Sequence, residues 1–207
     1  MYLQELSEKV WITKNARFLA SKRMNRSRKS SVTSVALLSA SIIAVNMLVF
    51  FDQGKVYSTT ITVVTVILST FSLVMSLLIT HMRYEYREDN YHQCGLELEN
   101  LNQRLRLKIS EIIQANGGRE DIESPMDENE KFLSEYNDIL KKYNLNHTDF
   151  DYKYSKWIAN DNENCKFNTA CYWLRWNVFD VYMIYWLIAL IPLAILASLL
   201  YKFGDQC

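Results

Sequence analysis

Proline and glycine are scarce in this chain, with two and five residues among 207. Neither occurs before Gly54, and Pro125 and Pro192 are the two prolines. So few breakers exclude a turn-rich β architecture and predict a small number of long helices. The motifs of common catalysts are missing too. There is no glycine loop that could cradle phosphate, no HExxH and no GxSxG. The four cysteines, Cys94, Cys165, Cys171 and Cys207, form no CxxC pair and show no zinc-type spacing with histidine. Enzymatic activity, a cofactor and a metal are therefore not expected. His147, Asp149 and Asp151 alternate closely, but their setting, NLNHTDFDY, has the composition of a helix-capping turn.

Charge is absent where it matters most. The chain holds 23 basic and 23 acidic residues, yet none lies in Val32 to Phe51, Val56 to Met82 or Val181 to Tyr201. A bilayer core of about 30 Å needs roughly 20 apolar residues at about 1.5 Å each, and every run meets that length. The first run starts too late and is too long for a cleavable signal. Lys9, Lys14, Arg17, Lys22, Arg23, Arg26, Arg28 and Lys29 precede it, against Glu5 and Glu8, so the N terminus is expected in the cytosol. Asp52 to Lys55 would then lie outside, and Arg83 and Arg87 would mark the return. A third span would export the tail from Lys202. Cytosolic cysteines would stay reduced, and the Asn146 sequon would not be glycosylated.

Leu3, Leu6, Val10, Ile12, Ala16 and Leu19 follow helical spacing, which predicts an amphipathic helix leading into the first span. Gly54 occupies the turn of an antiparallel hairpin. After the second span nothing but Gly95, at a cost of about 1 kcal/mol, interrupts a helix before Asn116, Gly117 and Gly118. Tyr84, Tyr91, Leu98, Leu105 and Ile112 recur every seven residues in it, with Cys94 and Leu101 between them, as a candidate cytosolic packing seam. The partner is either the amphipathic N-terminal helix or another chain, and irregular seams suit bundle packing. A loop is expected from Asn116 to Pro125. A helix should follow, with its start capped near Asp127 and an apolar face of Phe132, Leu133, Tyr136, Ile139, Leu140 and Tyr143. From Asn144 to Asn177 the pattern decays, and Tyr172, Trp173 and Trp176 resemble an interfacial aromatic belt.

Within the second span Ser58, Thr62, Thr65, Ser69, Ser72, Ser76 and Thr80 recur at steps of three and four, which places them on one helix face. Such a stripe must face other helices or water. One reading is a pore lining shared among several copies. The other is helix packing, which the stripe by itself favours because small hydroxyl residues let backbones approach. Asn46 in the first span fits interhelical glue, and His81 a place at the membrane edge. No Asp, Glu, Lys or Arg lies inside a span, which disfavours a pump or coupled transporter and suits a passive pore.

Two blocks, WITKNARFLASKRMNR at Trp11 to Arg26 and YEYREDNYHQCGLELENL at Tyr84 to Leu101, bracket the hairpin. In these the chain resembles the SLATT proteins, and among them the fifth subfamily. They are two-transmembrane effector domains of bacterial conflict systems, found beside second-messenger synthases, reverse transcriptases or their sensors. The resemblance implies an antiviral, abortive-infection effector of the inner membrane, triggered by an associated sensor, nucleotidyltransferase or reverse transcriptase, with no direct nucleic-acid binding. The expected fold is an all-α membrane protein. Residues 1–115 would form the hairpin, with spans 32–51 and 56–82, and its cytosolic stalk. Residues 116–178 would form a cytosolic helical and loop segment, and 179–207 a third span and short tail. The expected function is a homo-oligomeric pore in the lipid bilayer. The alternative is a membrane-anchored module that recruits a partner enzyme through its cytosolic bundle.

Overall fold

The structure, a computed structural model, describes residues 3–47, 58–115, 126–145 and 149–159, with positions 190, 194, 198 and 201. The described residues are almost entirely α-helical. In chain order the helices are α1 (Leu3–Met47), α2 (Ser58–His81), α3 (Tyr84–Ala115), α4 (Met126–Tyr143) and α5 (Asp149–Ala159). They divide into two compact units, one of Met1–Met24 with Glu85–Phe167 and one of Asn25–Tyr84 with Asn168–Cys207.

The first unit is a helical bundle whose core joins three helices. Leu3, Leu6 and Val10 of α1 pack with Cys94, Leu98, Leu101 and Leu105 of α3 and with Tyr136 and Ile139 of α4. Phe132, Leu133, Leu140 and Tyr143 close over this cluster from α4, because their spacing puts them on the same face as Tyr136. The N-terminal helix departs from simple amphipathicity. Between Val10 and Arg17 every residue except Trp11 and Asn15 is buried, so α1 is covered on most sides here and its polar groups need partners inside the protein. Thr13 and Tyr136 share a hydroxyl hydrogen bond of 3.0 Å, Lys14 pairs with Glu99 at 2.6 Å, and Ser7 donates to Asn102 at 3.3 Å.

Gly95 has a packing reason that helix propensity does not reveal. A Cβ at this position would stand 2.8 Å from Phe18 Cε1 and 3.0 Å from Cδ1 and Cζ. The bare α3 backbone is the seat of the Phe18 ring, whose edge meets the His92 ring with centroids 5.7 Å apart.

Two expectations need correction. The helix that follows the second span is not continuous with it: Met82 and Arg83 form a turn, and Arg83 has φ of 47°. The Met82 amide still bonds to the Leu78 carbonyl, but the Arg83 amide bonds to Thr80, which tightens and ends α2. Helix α4 begins at Met126, next to Asp127. The stretch after Asn144 contains a helix, α5, whose 11 residues are too few for a sustained pattern. Acidic Asp149 and Asp151 in its first turn and Lys156 in its last suit the helix dipole. The Phe150 and Tyr154 rings stack one turn apart, and Asp151, fully buried, is paired with Arg23 of α1 at 2.8 Å.

In the second unit α1 buries Ser27, Ser30, Ser31, Ser34, Leu38, Ser41 and Val45, and α2 buries Ile61, Thr65 and Leu68. The most apolar stretch of the helical run that starts at Ser58 has a mean hydropathy of 2.3, and 17% of it is buried. Val63, Val66, Ile67, Leu73 and Leu77 are each more than half exposed. A core helix of a soluble protein would hide these side chains, whereas lipid accepts them. The α1 stretch is less apolar, at 1.6. The hairpin turn at Gly54, the loop from Asn116 to Pro125, His147, the aromatic belt and Cys165, Cys171 and Cys207 lie outside the described residues. So does the third apolar run, except Leu190, Ala194, Ser198 and Tyr201, which are helical and exposed.

Candidate functional site

The α2 hydroxyls hydrogen-bond first to their own helix. Thr62 donates to the Ser58 carbonyl at 2.8 Å, Thr65 to Thr62 at 3.0 Å, Ser69 to Thr65 at 2.7 Å and Thr80 to Ser76 at 2.9 Å. This satisfies the hydroxyl proton in an apolar medium and turns the oxygen lone pairs outward. In position the stripe is divided. Thr65 is buried, Ser58 and Ser72 are half-buried, and Thr62, Ser69, Ser76 and Thr80 are exposed. The buried line of Ile61, Thr65 and Leu68 meets the stripe at Thr65, and the two centres diverge by less than a quarter turn of helix. One margin of the stripe is therefore packed and the other is uncovered.

Pattern alone does not single out the serines of α1, yet they are the buried ones. Ser31 donates to the Arg28 carbonyl, Ser34 to Ser30 and Ser41 to Leu37, each at 2.8 Å, and all three serines are buried. Their spacing with Ser27, Leu38 and Val45 is three or four residues throughout, a small-residue seam that the charge-free length of the run obscures. The same chain thus uses hydroxyls in two ways, covered on α1 and largely uncovered on α2. Asn46 is exposed, and its amide donates to the Ile42 carbonyl at 3.1 Å. His81 closes α2 on an exposed position.

The candidate seam on α3 lies in the first unit from Tyr91 onward. Tyr91, Cys94, Leu98, Leu101 and Leu105 are buried, while Tyr84 and Ile112 are half-buried. The faces they meet are on α1 and α4 of the same chain. Charge frames this core. Glu97 accepts from Lys142 and from the Tyr143 hydroxyl, which hold its carboxyl below the ordinary range despite some burial. Lys14 does the same for Glu99. Burial pushes the Cys94 thiol up, opposed by Arg17. Burial likewise raises the Tyr136 hydroxyl, which Thr13 partly offsets. Arg104 pairs with Glu135, and Lys108 with Glu128 at 3.0 Å.

An open groove of about 380 Å³ between α1 and α3 is lined by Gln4, Ser7, Glu8, Trp11, Arg106 and Ile109. Lys14 Nζ stands 5.9 Å from the centre of the Trp11 ring. Among the described residues no three His, Cys, Asp or Glu side chains come close enough to hold a metal ion. Asp149 and Asp151 both belong to α5, and Asp151 is engaged by Arg23.

No curated protein and no solved structure matches the chain significantly. A family model does, over residues 1–198. Its description, an effector domain with two transmembrane segments, agrees with the two long apolar helices and with the lipid-like exposure of α2. The chain is a membrane protein and belongs to the SMODS and SLOG-associating 2TM effector domain family 5, the fifth SLATT family.

Proposed function

We propose that this protein is a homo-oligomeric pore-forming effector of a bacterial antiviral system, embedded in the inner membrane with its N terminus in the cytosol. The observation that carries this reading is the uncovered margin of the α2 stripe. Thr62, Ser69, Ser76 and Thr80 stay exposed on a helix otherwise clothed in large apolar side chains. Lipid gives such oxygens nothing to accept, so a second copy or a water path is their better surrounding. Several copies arranged with this margin inward would enclose a wall of hydroxyl oxygens without fixed charge. Outward lone pairs suit water and cations. The basic residues before α1 support the orientation. The family's association with SMODS and SLOG proteins supports a sensor or nucleotide-signal partner as the trigger.

Replacing the exposed Thr62, Ser69 and Ser76 with Leu should abolish dye release from liposomes and toxicity while leaving expression intact. Unchanged toxicity would assign the stripe to packing. A second reading draws on the well-built first unit: the spans anchor a bundle that recruits an enzyme. Exchanging both spans for unrelated apolar helices should then preserve activity, whereas the pore reading requires its loss.

A further inference from the structure

The side chain of Arg17 is the least well accommodated charge in the first unit. It is 4% exposed, and its Nε and Nη1 atoms have no hydrogen-bond partner among the described residues. The guanidinium lies over the Tyr91 ring at 5.8 Å and acts electrostatically on the Cys94 thiol, which burial pushes up against the pull of Arg17. The carboxylates that frame this core are committed elsewhere. Glu97 is held by Lys142, Glu99 by Lys14, Asp151 by Arg23, Glu135 by Arg104 and Glu128 by Lys108. A buried cation with unsatisfied donors destabilises the packed state, and a ring face compensates it in part.

We propose that Arg17 is a built-in destabiliser that keeps the packing of α1 against α3 and α4 close to opening, so that a modest push from a partner releases it. The bonds across the rim join α4 to α3, and their loss lifts α4 away from α1. Lys142 with Glu97, Arg104 with Glu135 and Lys108 with Glu128 are all partly exposed pairs, which hold weakly and yield easily. Opening gives the guanidinium water and separates the helices that lead into the membrane. The biological use of the device rests on the effector reading above. The device itself does not.

The test is hydrogen exchange on the full-length protein in lipid nanodiscs, read at the amides of α1 and α3. Arg17→Met keeps the length of the side chain and removes the charge, and should slow opening about tenfold or more. Arg17→Lys should not slow it. Cys94→Asp supplies the missing anion and should slow opening relative to Cys94→Ser, but should speed it in the Arg17→Met background, where the carboxylate is alone. The proposal is overturned if Arg17→Met exchanges faster than the wild type. It is also overturned if Cys94→Asp does not slow opening relative to Cys94→Ser in the otherwise wild-type chain, a comparison that decides the matter even where Arg17→Met fails to fold. Liposome leakage is measured in parallel. No leakage from any variant, wild type included, would defeat the pore reading and leave the exchange ordering standing.

Discussion

Placing a single methyl group on Gly95 sets two known effects against each other. In a helix interior Ala is favoured over Gly by about 0.8–1.0 kcal/mol, so on a free surface Gly95→Ala would stabilise α3. The structure puts that methyl 2.8 Å from one atom of the Phe18 ring and 3.0 Å from two more. Contacts so short force the ring aside, and overpacking of this kind costs typically about 1–3 kcal/mol. Phe18 is only half-buried and can yield outward, but doing so gives up its seat on α3 and its edge contact with His92. The expected balance is a net loss of about 1 kcal/mol, seen as a roughly fivefold drop in exchange protection of the α3 amides around Leu98. Adding Phe18→Leu should recover part of it, because the smaller side chain vacates the contact. A rise in protection for Gly95→Ala alone would refute the argument, since helix propensity would then outweigh the close approach.

Asp151→Ala should loosen α5 by on the order of 3 kcal/mol, since it removes the carboxylate of a buried ion pair that ties α5 to α1. Protease sensitivity confined to α5 would report this, and unchanged resistance would contradict it. Glu97 and Glu99 are both held below their ordinary 4.5 by lysine partners. Their contribution is present above that value and is lost as pH falls through the lowered folded values. Docking of α4 should therefore weaken on acidification below 4.5, and Glu97→Gln should flatten that dependence in a melting series. Arg83 adopts a φ of 47° without being glycine. Arg83→Gly should stabilise the turn after α2 by up to about 1 kcal/mol, whereas Arg83→Val should weaken it, both measurable by exchange at the neighbouring amides.

Much of this molecule was legible in one dimension because long helices are specified by local rules. The scarcity of Gly and Pro, the charge-free runs and the face formed by Phe132, Leu133, Tyr136, Ile139 and Leu140 need only spacing to be seen, and the last of these is the face that α4 buries. The hydroxyl stripe is equally visible, as a single face of one helix. Whether its members are covered is a different matter, since coverage depends on which neighbours arrive, and periodicity carries no record of them. The same limit concealed the serine seam of α1.

Partners far apart in sequence were decided only by tertiary structure. Arg23 and Asp151 meet across 128 positions, and that pairing supports a helix of 11 residues, too short for a sustained pattern to announce it. Lys14 and Arg17 count in the sequence as basic residues flanking a span, but packing buries both, and among the described residues Lys14 alone of the two is paired with a carboxylate. The turn at Arg83 was hidden for a related reason, as no residue there is a recognised breaker. By itself, then, the sequence determined that there are long helices, which of them are apolar enough for lipid, and which faces repeat, all consequences of helical geometry and solvation. The tertiary structure decided which polar groups find partners, which hydroxyls stay bare and where a helix must break, because those outcomes depend on what lies across the fold.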